Sequence, residues 1–207
     1  MSAKFTELPE GKRLRIVNAG FEVFGCNPYR RASTDLIAAK AGISKGLLFY
    51  YFRNKKELYL FLFDFACERV AESVTGGKFD EITDFFELCD HAAQQKYRLL
   101  EQSPYLMEFL LRAYDSQTDG VSDDIAGKLA EASAAAFDAY CARIDRSKFR
   151  DDVDPREILS MLVYLADGRM REVQRAGRPV DFSDLMDQYR RWCELLKRIS
   201  YREEYLL

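Results

Sequence analysis

A chain of 207 residues, 48% apolar and 31% charged with a mean hydropathy of −0.32, is long enough to bury a core of its own. This balance excludes a disordered tail and a collagen-like repeat. The densest apolar stretch, Leu58–Cys67, is ten residues long and broken by Asp64, too short to span a bilayer. The net charge of −3 hides a division: residues 1–60 hold eleven Lys/Arg against five Asp/Glu, a net of +6, and the remainder carries −9. A basic segment on an acidic body points to an anionic polymer bound at one end.

The opening MSAKFTELPEGKR lacks the apolar stretch of a secretory signal, so a soluble, cytoplasmic protein is expected. Cys26, Cys67, Cys89, Cys141 and Cys193 form no CxxC pair and read as small core hydrophobes in a reducing compartment. With His91 the only histidine, neither a metal site nor a cofactor is expected.

Prolines occur only at 9, 28, 104, 155 and 179, at plausible helix starts or joints, and no window alternates as a strand would. The first helix should run from about Glu10 to Gly25, with Leu14, Val17, Phe21 and Phe24 on its buried face. After the loop Cys26–Arg31, Ser33 caps a short helix with Leu36, Ile37 and Ala41 turned inward. A long apolar helix follows over 54–74, ended by Gly76-Gly77, and further helices are expected over 80–102, 105–116, 122–147, 155–176 and 181–202. The fold class is therefore all-α: a three-helix head over 1–53, then a larger helical body over 54–207.

The informative stretch lies between Ser33 and Phe52. Ala38 is small enough for two helices to approach, and Gly42 falls where the first must end in a left-handed turn. Ile43 plugs the elbow and Ser44 caps the next helix, which makes a helix-turn-helix whose second helix enters the major groove of DNA. At 100° per residue Leu48 and Phe52 face inward with Tyr51 nearby, while Gly46, Leu47, Phe49, Tyr50 and Arg53 face outward. Lys45, in the first turn, can reach a phosphate that the helix N-terminus also favours.

These residues resemble the DNA-binding domain of the TetR family of transcriptional regulators. The matching marks are Ile37-Ala38, Ala41-Gly42-Ile43-Ser44-Lys45-Gly46, Tyr50, Phe52 and Asn54-Lys55-Lys56-Glu57-Leu58. The likeness covers about a quarter of the chain. Leu47 stands where the family commonly has threonine, Phe49 where it has its first tyrosine, and Tyr51 where histidine is frequent. Leu47 and Phe49 cannot donate hydrogen bonds, so base reading there would rest on apolar contact. The resemblance implies phosphate contact by Ser33, phosphate or base-edge contacts by Lys45, Tyr50 and Lys55, and a cap on the fourth helix by Asn54.

The resemblance also implies that the body binds a small effector and pairs with a second copy. Chamber-lining residues would be Phe61, Phe65, Phe86, Met107 and Leu110, with Tyr114, Phe137, Tyr140 and Tyr164. Arg69, His91 and Asp167 are the polar groups that could orient a ligand among them. Leu159, Leu162, Ala166, Met170 and Val173 recur at three- and four-residue steps, as do Leu185, Tyr189, Trp192, Leu196 and Ile199. Two such stripes per subunit would make an isologous four-helix dimer contact.

The expected function is thus a DNA-binding regulator, a repressor whose hold on a palindromic operator in double-stranded DNA is lowered by an apolar or aromatic effector. The competing reading is a protein-interaction adaptor whose head has lost sequence specificity, motivated by Leu47 and Phe49. An enzyme is not expected: the chain has no nucleotide-binding glycine loop, no GxSxG and no metal cluster. No membrane partner is expected.

Overall fold

The computed structural model describes residues 3–75, 77–115, 121–178 and 180–206. Among them are ten α-helices: α1 (Ala3–Thr6), α2 (Glu10–Cys26), α3 (Thr34–Ala41), α4 (Lys45–Tyr51), α5 (Lys55–Val74), α6 (Phe85–Gln102), α7 (Pro104–Asp115), α8 (Ser122–Cys141), α9 (Pro155–Arg175) and α10 (Phe182–Ser200). The extended pairing among the described residues is an isolated antiparallel bridge between Phe149 and Tyr201. By compactness the chain divides into residues 1–72 with 99–132, and residues 73–98 with 133–207.

In the first unit α2 packs against α3 and α7. Its buried stripe, Ile16, Val17, Gly20, Phe21, Phe24 and Gly25, deepens toward its C-terminal half. Leu14, expected inward, is 41% exposed because it precedes that covered half. At Gly25 α7 comes close: a side chain there would lie 3.1 Å from the Phe109 backbone nitrogen, and the Gly25 carbonyl accepts a 2.7 Å bond from Arg112 Nε. Phe24, Tyr59 and Phe109 interlock at ring separations of 4.9–6.5 Å. On α3, Ile37, Ala38 and Ala41 are buried, whereas Leu36 turns outward, about 140° around the helix from Ala41.

The second unit is closed by the chain's last residues. Phe149 and Tyr201 stack edge to face at 4.9 Å, flanked by main-chain bonds from Arg150 to Ser200 and from Arg202 to Lys148, both 2.9 Å. Phe85, Phe86, Leu88, Leu159 and Leu162 share this core. At its centre the buried Asp84 caps α6: Oδ1 accepts from the Phe86 and Glu87 amides at 3.0 and 3.1 Å. Its Oδ2 accepts from Lys148 at 2.9 Å and from the Tyr201 hydroxyl at 3.2 Å. Burial pushes the Asp84 carboxyl up, but the Lys148 ammonium and the helix amide outweigh it and hold the net value below 3.8. This cap explains why α6 starts at Phe85 rather than near 80. Likewise α8 stops at Cys141, before a 3-10 turn over Arg146–Lys148 that Asp145 caps, rather than running to 147. α5 ends at Val74, and the expected terminator Gly76 lies outside the described residues.

Candidate nucleic-acid interface

Three side-chain caps set up the head. Ser33 Oγ accepts from the Leu36 amide at 3.3 Å, Ser44 Oγ from Leu47 at 3.2 Å, and Asn54 Oδ1 from Glu57 at 2.8 Å, so α3, α4 and α5 all begin where the sequence placed their caps. Between the first two helices Gly42 adopts φ 69° and ψ 36°, its amide bonding back to Ala38 and Ala39. Leu48, Tyr51 and Phe52 are buried, which fixes the outward face of α4.

That face presents Ser44, Lys45, Gly46 and Tyr50 to solvent, with Tyr50 52% exposed. Gly46 has open space around it. Leu47 and Phe49, expected fully outward, are half-buried, and Leu47 packs against the first core. The reading edge of α4 is therefore narrower and more polar than the helical angles alone suggest. The apolar exposure that motivated an adaptor is correspondingly reduced.

The cations are ordered by partners distant in sequence. Lys45 Nζ pairs with Asp35 at 2.9 Å, both exposed. Lys55, expected to reach DNA, donates to the Arg30 carbonyl at 3.2 Å, and its ammonium lies 4.9 Å from the Tyr29 ring centre. Lys40 pairs with Glu22 and Lys56 with Asp124, at 2.9 and 2.7 Å. Arg31 and Arg53 are exposed and pair with no carboxylate among the described residues. Residues 3–8 pack against α4 and α5. Phe5 is buried against Tyr51, Phe52 and Phe61, and Lys4 Nζ bonds to the Tyr50 hydroxyl, which raises the ammonium's pKa.

The nine residues expected around an effector fall in both units. Phe61, Phe65, Met107, Leu110 and Tyr114 lie in the first, and Phe86, Phe137, Tyr140 and Tyr164 in the second. Phe61 and Phe65 stand 6.1 Å apart, and Phe61 also packs on Phe52 at 5.2 Å, directly behind α4. Leu110, Phe86 and Tyr140 are buried in the two cores. Tyr164 is 73% exposed and lines no interior of the isolated chain, a correction to its expected place. Arg69 pairs with Glu72 and Asp167 with Arg171, while His91 Nε2 is buried with no partner among the described residues.

The expected pairing stripes divide between core and surface. On α9, Leu159 and Leu162 belong to the core, and on α10 Tyr189, Trp192 and Leu196 pack half-buried against it. Ala166 is half-buried, and Met170, Val173 and Leu185 line an open concavity of about 270 Å³ bounded by Arg169 and Asp184. The apolar side chains left open are Met161, Val163, Tyr164 and Leu165 on α9 with Leu195 and Ile199 on α10. Each helix carries two apolar faces, and periodicity alone picked mainly the inward one.

The thiols offer no reactive centre. Burial pushes Cys67 to about 11 and Cys193 to about 12, so both stay protonated. Cys26, expected in the core, is exposed. Among the described residues no cluster of three metal-ligating side chains occurs, and no helix is long and apolar enough to cross a membrane.

A capped helix-turn-helix on a basic head, joined to a larger helical body, defines a DNA-binding regulator. Residues 16–61 match the family model of the bacterial regulatory proteins of the tetR family, which makes the head a DNA-binding domain of the TetR type. The chain is 27% identical over 184 residues to the HTH-type transcriptional activator FasR of Mycolicibacterium smegmatis, covering 82% of this chain and 75% of that protein. To the fatty acid metabolism regulator protein of Bacillus subtilis it is 35% identical over 52 residues, 25% of this chain and 27% of that one. Its fold resembles that of the fatty acid degradation regulator FadR from Bacillus halodurans, with a TM-score of 0.72 at 18% identity, covering 88% of this chain and 96% of that one.

Proposed function

We propose that the chain is a cytoplasmic repressor that binds a palindromic operator as a homodimer and releases it when a small apolar effector binds the body. In this reading residues 1–53 read the DNA, and residues 54–207 hold the effector and the second copy. The carrying observation is α4, capped by Ser44, with Lys45, Gly46 and Tyr50 open along one edge and Leu48 and Phe52 locked behind it. Ser33 at the start of α3 and Arg31 beside it supply backbone contacts, and Leu47 and Phe49 leave part of their surface for thymine methyls. Lys55 contributes by holding the Arg30 carbonyl, and so the loop before α3, in place. Repression is the default sign, because a dimer seated at a promoter excludes polymerase.

The relatives that regulate fatty-acid metabolism make an acyl chain the first effector to try, since its apolar length suits the cluster that holds Phe61, Phe65 and Leu110. Phe61 touches both Phe65 and Phe52, so a ligand that displaces it also moves the end of the recognition helix. Coupling of about 1–3 kcal/mol is the ordinary scale for such a link.

Selecting bound sites from a random DNA pool tests the reading. Recovered sequences should be palindromes with half-sites about 34–36 Å apart, bound with an affinity that falls steeply with salt. An acyl ligand found by thermal shift should weaken operator binding, and a reporter under that operator should fall silent with the protein present. Failure to retain any duplex at low salt would return the chain to the adaptor reading.

A further inference from the structure

We propose that the N-terminal segment ahead of α2 is part of the DNA interface, with Lys4 and Tyr50 together holding one backbone phosphate. The inference rests on the DNA-binding reading above. Residues 3–8 lie outside the span that matches the family model, 16–61, so nothing in that match assigns them a role.

The segment is anchored from two sides. Phe5 is 2% exposed, its ring 4.8 Å from Phe52 and 5.1 Å from Phe61. Arg13 Nη1 donates to the Thr6 carbonyl at 3.2 Å, which fastens the segment to α2. The anchor delivers Lys4 to the outward edge of α4: its ammonium lies 4.7 Å from the Tyr50 ring centre and donates to the Tyr50 hydroxyl. As a stability device an exposed contact of this kind is worth little. As an anion site its chemistry is well matched. The phenol oxygen accepts from Lys4, which leaves its own proton to donate to a phosphate oxygen. The ammonium brings a full positive charge to the same group. A compact ammonium suits a phosphate better than a base edge, so the pair should position the protein on the duplex rather than read sequence.

The experiment measures operator affinity against salt, using the tightest 30-base-pair duplex recovered from the random pool. Lys4→Gln should retain the wild-type circular dichroism and flatten the log–log salt slope by about 0.9 per subunit, or about 1.8 for a bound dimer. Lys4→Arg should restore the slope. Tyr50→Phe should weaken binding without changing the slope, and the double variant Lys4→Gln/Tyr50→Phe should lose less than the two single losses combined, because both groups serve one phosphate. A Lys4→Gln slope equal to wild type, or strictly additive losses, overturns the shared phosphate site while leaving the DNA-binding reading intact. A wild-type protein that retains no duplex sinks both.

Discussion

Asp84 gathers the most consequential charge pairing in the second unit, with a side chain 9% exposed against a Lys148 that is 24% exposed. Its carboxyl is held below 3.8 in the folded chain, so its contribution is fully present above the unfolded value near 4 and is lost as pH falls through that value toward the folded one. Lys148 shifts the other way, raised by its bond to Asp84, and its share is lost only as pH rises past 10.5. Asp84→Asn keeps an oxygen for the helix cap but removes the charge. It should cost about 1–3 kcal/mol in urea unfolding at pH 7 and progressively less as pH falls below about 4. A cost that does not change with pH would show that the ion pair adds nothing. The legible single residues were those whose task is local: Ser33, Ser44 and Asn54 each bond to an amide three residues ahead, and Gly42 turns where no Cβ is welcome. Lys45 with Asp35, Lys55 with Arg30 and Lys4 with Tyr50 were not legible, because sequence shows a charge and not the partner that folding brings to it across ten, 25 or 46 residues.

Helices α2 through α5 were readable nearly to the residue, because each begins at a capping residue or a proline and the apolar spacing is dense. What the spacing could not show was which neighbour a helix would meet. Gly25 looks like any small residue near a helix end, yet it is where α7 settles against α2. Gly25→Ala places a methyl 3.1 Å from the Phe109 nitrogen and from Glu108 Cβ, and backbone there cannot rotate away. The cost should be about 1–3 kcal/mol, outweighing the helix-propensity gain. Gly11→Ala on the same helix meets nothing within 4 Å and should be neutral or stabilise by about 0.5 kcal/mol. Thermal unfolding of the two variants compares the same chemical change with and without a neighbour, and equal shifts would remove the close approach as a constraint. The same blindness misplaced the outward stripe of α9. Leu159 and Leu162 share the helical period of an exposed seam but serve the core, and Met161, Tyr164 and Leu165 beside them stay in solvent.

Tyr164 at 73% exposure, Ile199 and Leu195 at 61% each, and Val163 at 49% amount to more open apolar surface on two neighbouring helices than an isolated soluble chain normally keeps. An isologous contact would cover it, each α9 and α10 meeting their copies across a two-fold axis. Because the side chains that would make this contact are not those that build the core, folding and pairing should be separable. Tyr164→Glu with Ile199→Glu leaves both charges in water in the monomer but buries them unpaired in a dimer, so light scattering should report a folded monomer. Leu162→Glu, at 0% exposure, should unfold the second unit instead. A folded monomer can still offer one α4 to one half-site, but it loses the spacing match of two heads about 34–36 Å apart. Operator binding by the double variant should therefore fall to the level of an isolated half-site, while the wild type discriminates the full palindrome from it. A double variant that remains dimeric moves the interface off α9 and α10. One that turns monomeric yet binds the full operator as tightly as wild type separates pairing from DNA recognition altogether.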